Sequence, residues 1–285
     1  MIIIIGMVGV ILSIIVGYKM EHGNLGIMFQ PAEFVIIGGS AIFALLITSG
    51  KNFAHILKNI STIFKPGLGD KKNYLDLLLL LHTLFAKAQK EGLISLEPHI
   101  DAPDKSDIFK KFASITSHSK IRLCITDNLR ILISGGSPDQ LESLIEIDIE
   151  TQHKEALYPP SVLTKIADSL PGLGIVAAVL GVTLAMAKIA EPPEVLGHTV
   201  AAALVGTFLG VLLCYGFVGP IASYLEHMVH EEEVFFIAIK MALVAFAEGT
   251  HPTLAVEAAR RAIPTHGRPS FQEIESEIRK WKGKT

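Results

Sequence analysis

Apolar residues collect in four long runs, at 2–18, 34–49, 170–190 and 199–224, with polar sequence between them. A bilayer core about 30 Å thick takes roughly 20 apolar residues as a helix, with about 17 as a practical minimum. The four runs therefore predict transmembrane helices, the first two short and glycine-containing. The first run lacks the basic start and the A-x-A cleavage site of a signal peptide, so it is expected to stay as a span. Between the runs the pattern changes to helical amphipathicity. "NYLDLLLLLHTLFAKAQKEG" (73–92) has a wide apolar face and ends in lysines and a glycine, the signature of a helix with its C-cap. "SPDQLESLIEIDIETQHKEAL" (137–157) opens with a capping Ser137 and with Pro138 at the first helical position. Gly135 and Gly136 mark a break before it, and "PGLG" (66–69) and "EPPE" (191–194) mark turns. The expected fold is an all-α integral membrane protein with four transmembrane helices. Residues 1–50 and 169–224 form two membrane hairpins, 51–168 a helical domain and 225–285 a helical tail.

Composition sharpens this picture. Half of the 285 residues are hydrophobic, only 19% are charged, and the mean hydropathy is +0.46, which suits a chain partly dissolved in lipid. A net charge of −3 provides no basic field for nucleic acid. Two cysteines, Cys124 and Cys214, make no disulfide framework. The basic residues are distributed unevenly. The turn at 19–33 holds one, Lys19, and the turn between runs three and four holds none, whereas residues 51–165 hold fifteen and the tail after 224 holds eight. By the positive-inside rule both termini and the long middle segment face the cytoplasm.

No catalytic pattern is present: no Gly-rich phosphate loop, no G-x-S-x-G, no zinc-spaced Cys/His set. His227 and His230, three apart beside acids, offer two metal ligands, but such a group is more economically the wet face of a helix leaving the membrane. No metal and no cofactor are expected. Small residues recur every four positions at Ala177, Gly181 and Ala185 on span three, and at Ala202, Gly206, Gly210 and Cys214 on span four. That interval lets helix backbones approach closely in lipid. Either the two spans form one tight hairpin, or the stripes also meet neighbouring subunits. Pro171 is expected in the first turn of span three, where proline costs little. Pro220 either ends span four or, if the helix continues through 223–233, frees a carbonyl and bends it.

The stretches "GNLGIMFQPAEFVIIGG" (23–39), "AKAQKEGLISLE" (86–97), "DSLPGLGIVAAVLGV" (168–182), "VGTFLGVLLCYGFVGP" (205–220) and "RPSFQEIE" (268–275) occur in this order. With them the chain resembles, over nearly its whole length, the A subunits of the bacterial flagellar motor stator, the MotA family. The resemblance implies an inner-membrane protein that is not an enzyme and that, with a partner, converts ion flow into torque on a rotor. It implies that a ring of five A subunits surrounds two helices of a B-type stator subunit, which supplies the titrating aspartate. A proton path usually has its own acid or histidine; residues 169–187 and 199–224 contain none, which fits a titrating group held by that partner. Residue by residue, Thr207 and Tyr215 match the family's ion path, and Pro171 and Pro220 match the prolines that couple protonation to movement. Glu33 matches a family acid, though a carboxylate in a first helical turn also suits the helix dipole. Contact with the rotor switch-complex protein falls to one basic and one acidic residue. Glu97 matches the acid. Gln89 occupies the basic position, leaving Lys90 or Lys87 to substitute. Likeness to proton-type stators favours protons over sodium. Two other classes are an ExbB/TolQ-type energising subunit, which has three spans, and a self-contained transporter, which should hold a charged or unwound site within its spans.

Overall fold

An apolar run in lipid must satisfy its own backbone, and it does so as helix. In the computed structural model, which describes residues 2–64 and 67–282, every regular element is helical and none of the described residues lies in a strand. Lys65 and Pro66, where the turn expected at 66–69 begins, lie outside the described residues. The first run forms α1 (Ile2–Met20), and two short turns of helix follow, α2 (Leu25–Met28) and α3 (Pro31–Phe34). Local chemistry sets these turns: the Asn24 side chain accepts the Gly26 N–H at 2.9 Å, and Pro31 takes the first helical position of α3. A π-helical turn (Val35–Gly39) leads into α4 (Ser40–Ser49), which stops at Gly50 with a φ of 51°. One 3₁₀ turn then connects to α5 (Phe53–Thr62).

The polar middle of the chain follows its caps. α6 (Lys71–Glu91) covers the helix expected at 73–92 and ends at Gly92, whose φ of 87° only glycine adopts cheaply. Three short helices come next, α7 (Glu97–Asp101), α8 (Asp107–Lys111) and α9 (Ala113–Thr116), and then α10 (Ser119–Ile133). Gly135, with a φ of 86°, breaks the chain where the glycine pair predicts. α11 (Pro138–Ala187) begins with a reciprocal cap: the Gln140 N–H donates to Ser137 Oγ, and the Ser137 N–H donates to Gln140 Oε1. After a turn through Pro192, α12 (Pro193–Leu212) opens on Pro193 and passes through a second π-helical turn (Leu213–Val218) into α13 (Gly219–Ala247). α14 (Pro252–Ala262) and α15 (Phe271–Lys282) complete the chain.

Pro171 is a correction. It does not sit in a first turn; α11 is one uninterrupted helix that contains Pro159, Pro160 and Pro171. Nothing between 157 and 170 stops the helix that Ser137 starts, and hydroxyls beside the prolines bond to nearby carbonyls: Ser161 to Tyr158, Thr164 to Pro160 and Ser169 to Ile166. An interior proline removes the donor for the carbonyl four residues back, here that of Ala167. Pro220 also lies within helix, since α13 continues to Ala247. The π turn before it closes with the Gly219 N–H on the Cys214 carbonyl, a five-residue step that shifts the register just ahead of the proline.

Internal contacts divide the chain into two units. The first, Met1–Pro66 with Leu157–His227, holds the apolar helices. Four helical stretches are long and apolar enough to cross a membrane: Ile2–Met20, Leu25–Thr62, Pro138–Ala187 and Pro193–Ala247. In α1 none of the described residues is buried, and α11 and α12 expose Leu184 and Leu204. Apolar surface of this extent belongs against lipid or another helix. Within the unit α11 and α12 form the tight hairpin that the small-residue stripes permit. A side chain added at Gly210 would stand 2.6 Å from the Leu170 carbonyl oxygen and 2.9 Å from the Gly174 Cα; one at Gly181 would stand 2.6 Å from the Ala203 Cβ.

The second unit, Gly67–Ala156 with Met228–Thr285, has a water-type core around the leucines of α6 and the aromatic residues Phe85, Phe109 and Phe235. Tyr74 stacks on Phe235 at 4.5 Å and Phe85 on Phe246 at 4.3 Å. Burial pushes the Tyr74 hydroxyl up to about 12, so it stays neutral. The tail motif at 268–275 is a capping box: Ser270 Oγ accepts the Glu273 N–H, and Glu273 accepts the Ser270 N–H. Lys71 on α6 closes on the same carboxylate at 2.7 Å and, with Ser270, holds it down at about 2.

The hairpin contact yields a direct test. At Gly210 the crowding atoms are backbone, so they cannot swing away. Gly210→Val should cost about 1–3 kcal/mol or more by overpacking. The expected outcome is a sharp fall in membrane-inserted, monodisperse protein on gel filtration in detergent, while Gly172→Val, at a position open on every side, should behave like the parent.

Candidate functional site

The residues singled out by sequence fall in two places, one in each unit. In the first unit the site grows from the stripe of glycines on α12. Because Gly206 and Gly210 have no side chains, α11 comes in at backbone distance, and Thr207 Cα lies 3.3 Å from where a Gly174 Cβ would be. Thr207 is half-buried there, and its hydroxyl makes no hydrogen bond among the described residues. The ordinary alternative for such a threonine, a bond to the carbonyl one turn back, is formed instead by Thr183 to Val179 and by Thr199 to Val195.

An acid lies against Gly206, the residue before Thr207. The short helix α3 places Glu33 against α12, and Glu33 is only 7% exposed. A Cβ on Gly206 would be 2.6 Å from Glu33 Oε2, and that oxygen, wholly buried, accepts no hydrogen bond. A first-turn carboxylate acting as a plain helix-end charge would face water. This one is packed into the apolar bundle next to the charge-free hairpin. Leaving such an oxygen without a donor costs about 1–3 kcal/mol, so the site calls for a donor supplied from outside. The sequence marks Glu33 by its family motif; its burial follows only from the close packing at Gly206.

The remaining residues of this site lie along the same helices. Pro171 sits half-buried inside α11, one residue from Leu170, whose carbonyl meets Gly210. Tyr215, in the π turn, is 73% exposed, and Pro220 is exposed just beyond it. A phenol with nothing over it on an apolar segment is suited to a partner surface.

In the second unit Gln89, Lys90 and Glu97 are all exposed, the first two at the end of α6 and the third at the start of α7. Lys87 is already engaged: its ammonium lies 2.7 Å from Glu91 and, through that hydrogen bond, holds the Glu91 carboxyl below its usual range. Of the two lysines that could stand in for the basic residue at Gln89, Lys90 is the more available. His230 meets His153 and Glu233, a grouping invisible in sequence because 77 residues separate the two histidines.

Comparison with known proteins fits this geometry. A family described as Motility protein A N-terminal matches residues 4–92, and the MotA/TolQ/ExbB proton channel family matches residues 113–236. The chain is similar to Motility protein A of Salmonella typhimurium, with 40% identity over 281 residues, 98% of this chain and 95% of that protein. Its fold is similar to the MotAB structure of C. jejuni, with a TM-score of 0.78 at 21% identity, covering 92% of this chain and 95% of that one. The flagellar MotAB stator complex of Bacillus subtilis matches with a TM-score of 0.76 at 20% identity, covering 93% and 97%.

Thr207 provides the test of this geometry. With no bond inside the chain to lose, Thr207→Val should leave the melting temperature of the detergent-purified protein within about 2 °C of the parent. A clear drop would mean that the hydroxyl is held within the fold.

Proposed function

The chain belongs to the motility protein A family, inner-membrane stator proteins of the bacterial flagellar motor, and on that premise we propose how its residues convert ion flow into torque. It is not an enzyme. We infer that it assembles as a pentamer around the helices of a B-type stator dimer, as a complex resembling the MotAB stator structures it matches in fold. The observation that carries this is the α11–α12 hairpin: close-packed, without an acid, histidine, lysine or arginine from 169 to 187 and from 199 to 224, yet presenting a Thr207 hydroxyl without a bond and an exposed Tyr215. Such a surface has no carboxylate or imidazole of its own to carry the proton. A partner carboxylate placed against it would give both hydroxyls a bonding role and complete an ion path.

In this reading both termini and residues 51–168 and 225–285 are cytoplasmic, with hairpins 1–50 and 169–224 in the membrane, consistent with the basic residues clustering outside the spans. Protonation of the partner aspartate beside Thr207 changes the charge at the hairpin. The interior prolines are where the helices yield, because Pro171 leaves the Ala167 carbonyl without its donor and Pro220 follows a π turn. The exposed Glu97 and Lys90 face the rotor. One charge crossing the membrane supplies about 2.3 kcal/mol per 100 mV, enough to shift a two-state equilibrium roughly fiftyfold. Protons are the proposed ion; swimming speed that does not depend on external sodium is the expected result. The ExbB/TolQ reading shares the family of the 113–236 match, but four apolar helices and 40% identity to a motility protein along the whole chain do not favour it. A self-contained transporter is not favoured either, since the spans of the hairpin hold no charged site.

Two predictions test this reading. Pro171→Ala and Pro220→Ala each restore a backbone donor to a helix interior, so both variants should insert and co-purify with the B subunit while swimming is lost. Loss of co-purification as well would show that the prolines only hold the fold. At the rotor face a single neutralisation is worth about 0–1 kcal/mol and should be nearly silent. Charge reversal at Glu97→Lys should cut torque on tethered cells without changing membrane levels, and normal torque would remove Glu97 from the contact.

A further inference from the structure

Apart from the hairpin and the rotor face, the second unit brings three metal-type donors to one point. His230 and Glu233 lie three apart on one face of α13, and His153 comes from α11. His153 Nδ1 stands 3.3 Å from Glu233 Oε2, and His230 Nδ1 stands 3.6 Å from the same oxygen. All three donor atoms lie within 4.8 Å of one another. In a tetrahedral zinc site, with bonds near 2.1 Å, neighbouring donors stand about 3.4 Å apart.

The orientation of the groups matters more than their distance. His153 Nδ1 is wholly buried and, although 3.3 Å from a carboxylate oxygen, is not aligned with it for a hydrogen bond. A protonated imidazole paired with Glu233 would point its N–H at that oxygen. Here the nitrogen stands close to the carboxylate without donating to it, and with His230 the donor atoms lie within coordination range of one ion. Gln152 Oε1 is a second buried acceptor without a partner, its amide nitrogen being spent on Asp148 at 2.9 Å. Gln152, His153 and Glu233 line one cavity of about 10 Å³, the volume of a single small ion or water. Lys120 does not neutralise Glu233; its ammonium goes to Glu232 at 3.5 Å.

We propose that His153, His230 and Glu233 bind a divalent transition-metal ion of the zinc class, which ties α11 to α13. Two imidazoles and one carboxylate with an open fourth position are a zinc-type donor set. Nickel and cobalt also suit imidazole, whereas magnesium and calcium favour all-oxygen sites. The fourth position is open to water or to Gln152 Oε1. The ion acts as a clamp and takes no part in ion flow.

The test uses full-length protein co-purified with its B subunit, with any polyhistidine tag removed, titrated with Zn²⁺ by calorimetry and with Co²⁺ by visible absorption. One saturable site per A chain is expected, with the Co²⁺ bands of a four-coordinate nitrogen–oxygen centre and a raised melting temperature in zinc but not in magnesium. His153→Gln should weaken binding at least about tenfold. His230→Gln, on a half-exposed ring that the fold can spare, should do the same and keeps the test valid if the buried variant does not fold. His227→Gln should bind like the parent. Equal zinc affinity in the parent and His230→Gln, or no saturable binding in the parent, would overturn the site and leave an ordinary histidine–glutamate contact.

Discussion

The structure of the membrane unit depends on one contact, the backbone-to-backbone approach of α11 and α12. Lipid is as apolar as leucine, so two spans gain little by burying large side chains against each other. They gain by van der Waals packing, and that requires small residues at each crossing. Gly174 against Gly206 and Gly210, and Gly181 against Ala203, supply them. Any Cβ at Gly210 would meet backbone, which has no rotamer to retreat into.

The position of Glu33 follows from that contact. Its carboxylate reaches the bundle only because Gly206 leaves room for Oε2, at the residue that precedes Thr207 on α12. A buried acid from α3 thus packs against a stretch of α12 that has no charge of its own. The interior prolines belong to the same arrangement. They remove backbone donors from helices otherwise packed closely through glycines, which is why the proposed bending is assigned to Pro171 and to the π turn before Pro220.

The second unit obeys different rules, because its core is built by water. Leucines and stacked aromatic residues fill it, and its ends are tied by charges such as Lys71 with Glu273. Its exposed acids and lysines take no part in that core, which leaves them available for the proposed rotor contact. Glycine at 92 turns the chain from α6 toward Glu97, which keeps Lys90 and Glu97 close in sequence on adjoining helices.

Much of this protein is legible along the chain. The lengths of the apolar runs show four spans, because bilayer thickness and helix rise are fixed. Ser137, Ser270, Gly92 and Gly135 mark helix ends, because capping needs only neighbours a few residues away. The small-residue stripes show that two helices can approach closely. What they do not show is which partner they meet, and only the folded chain reveals a hairpin made with itself. The place of Pro171 was also beyond reach, because whether a helix continues through a proline depends on packing that compensates its missing donor. Glu33 reads as a capping acid until Gly206 is placed beside it, and His153 is one histidine among eleven until α11 and α13 bring it to His230 and Glu233. Periodicity and caps act over a few residues of chain, whereas a site is made where faces far apart in sequence meet, and their meeting is decided by packing alone.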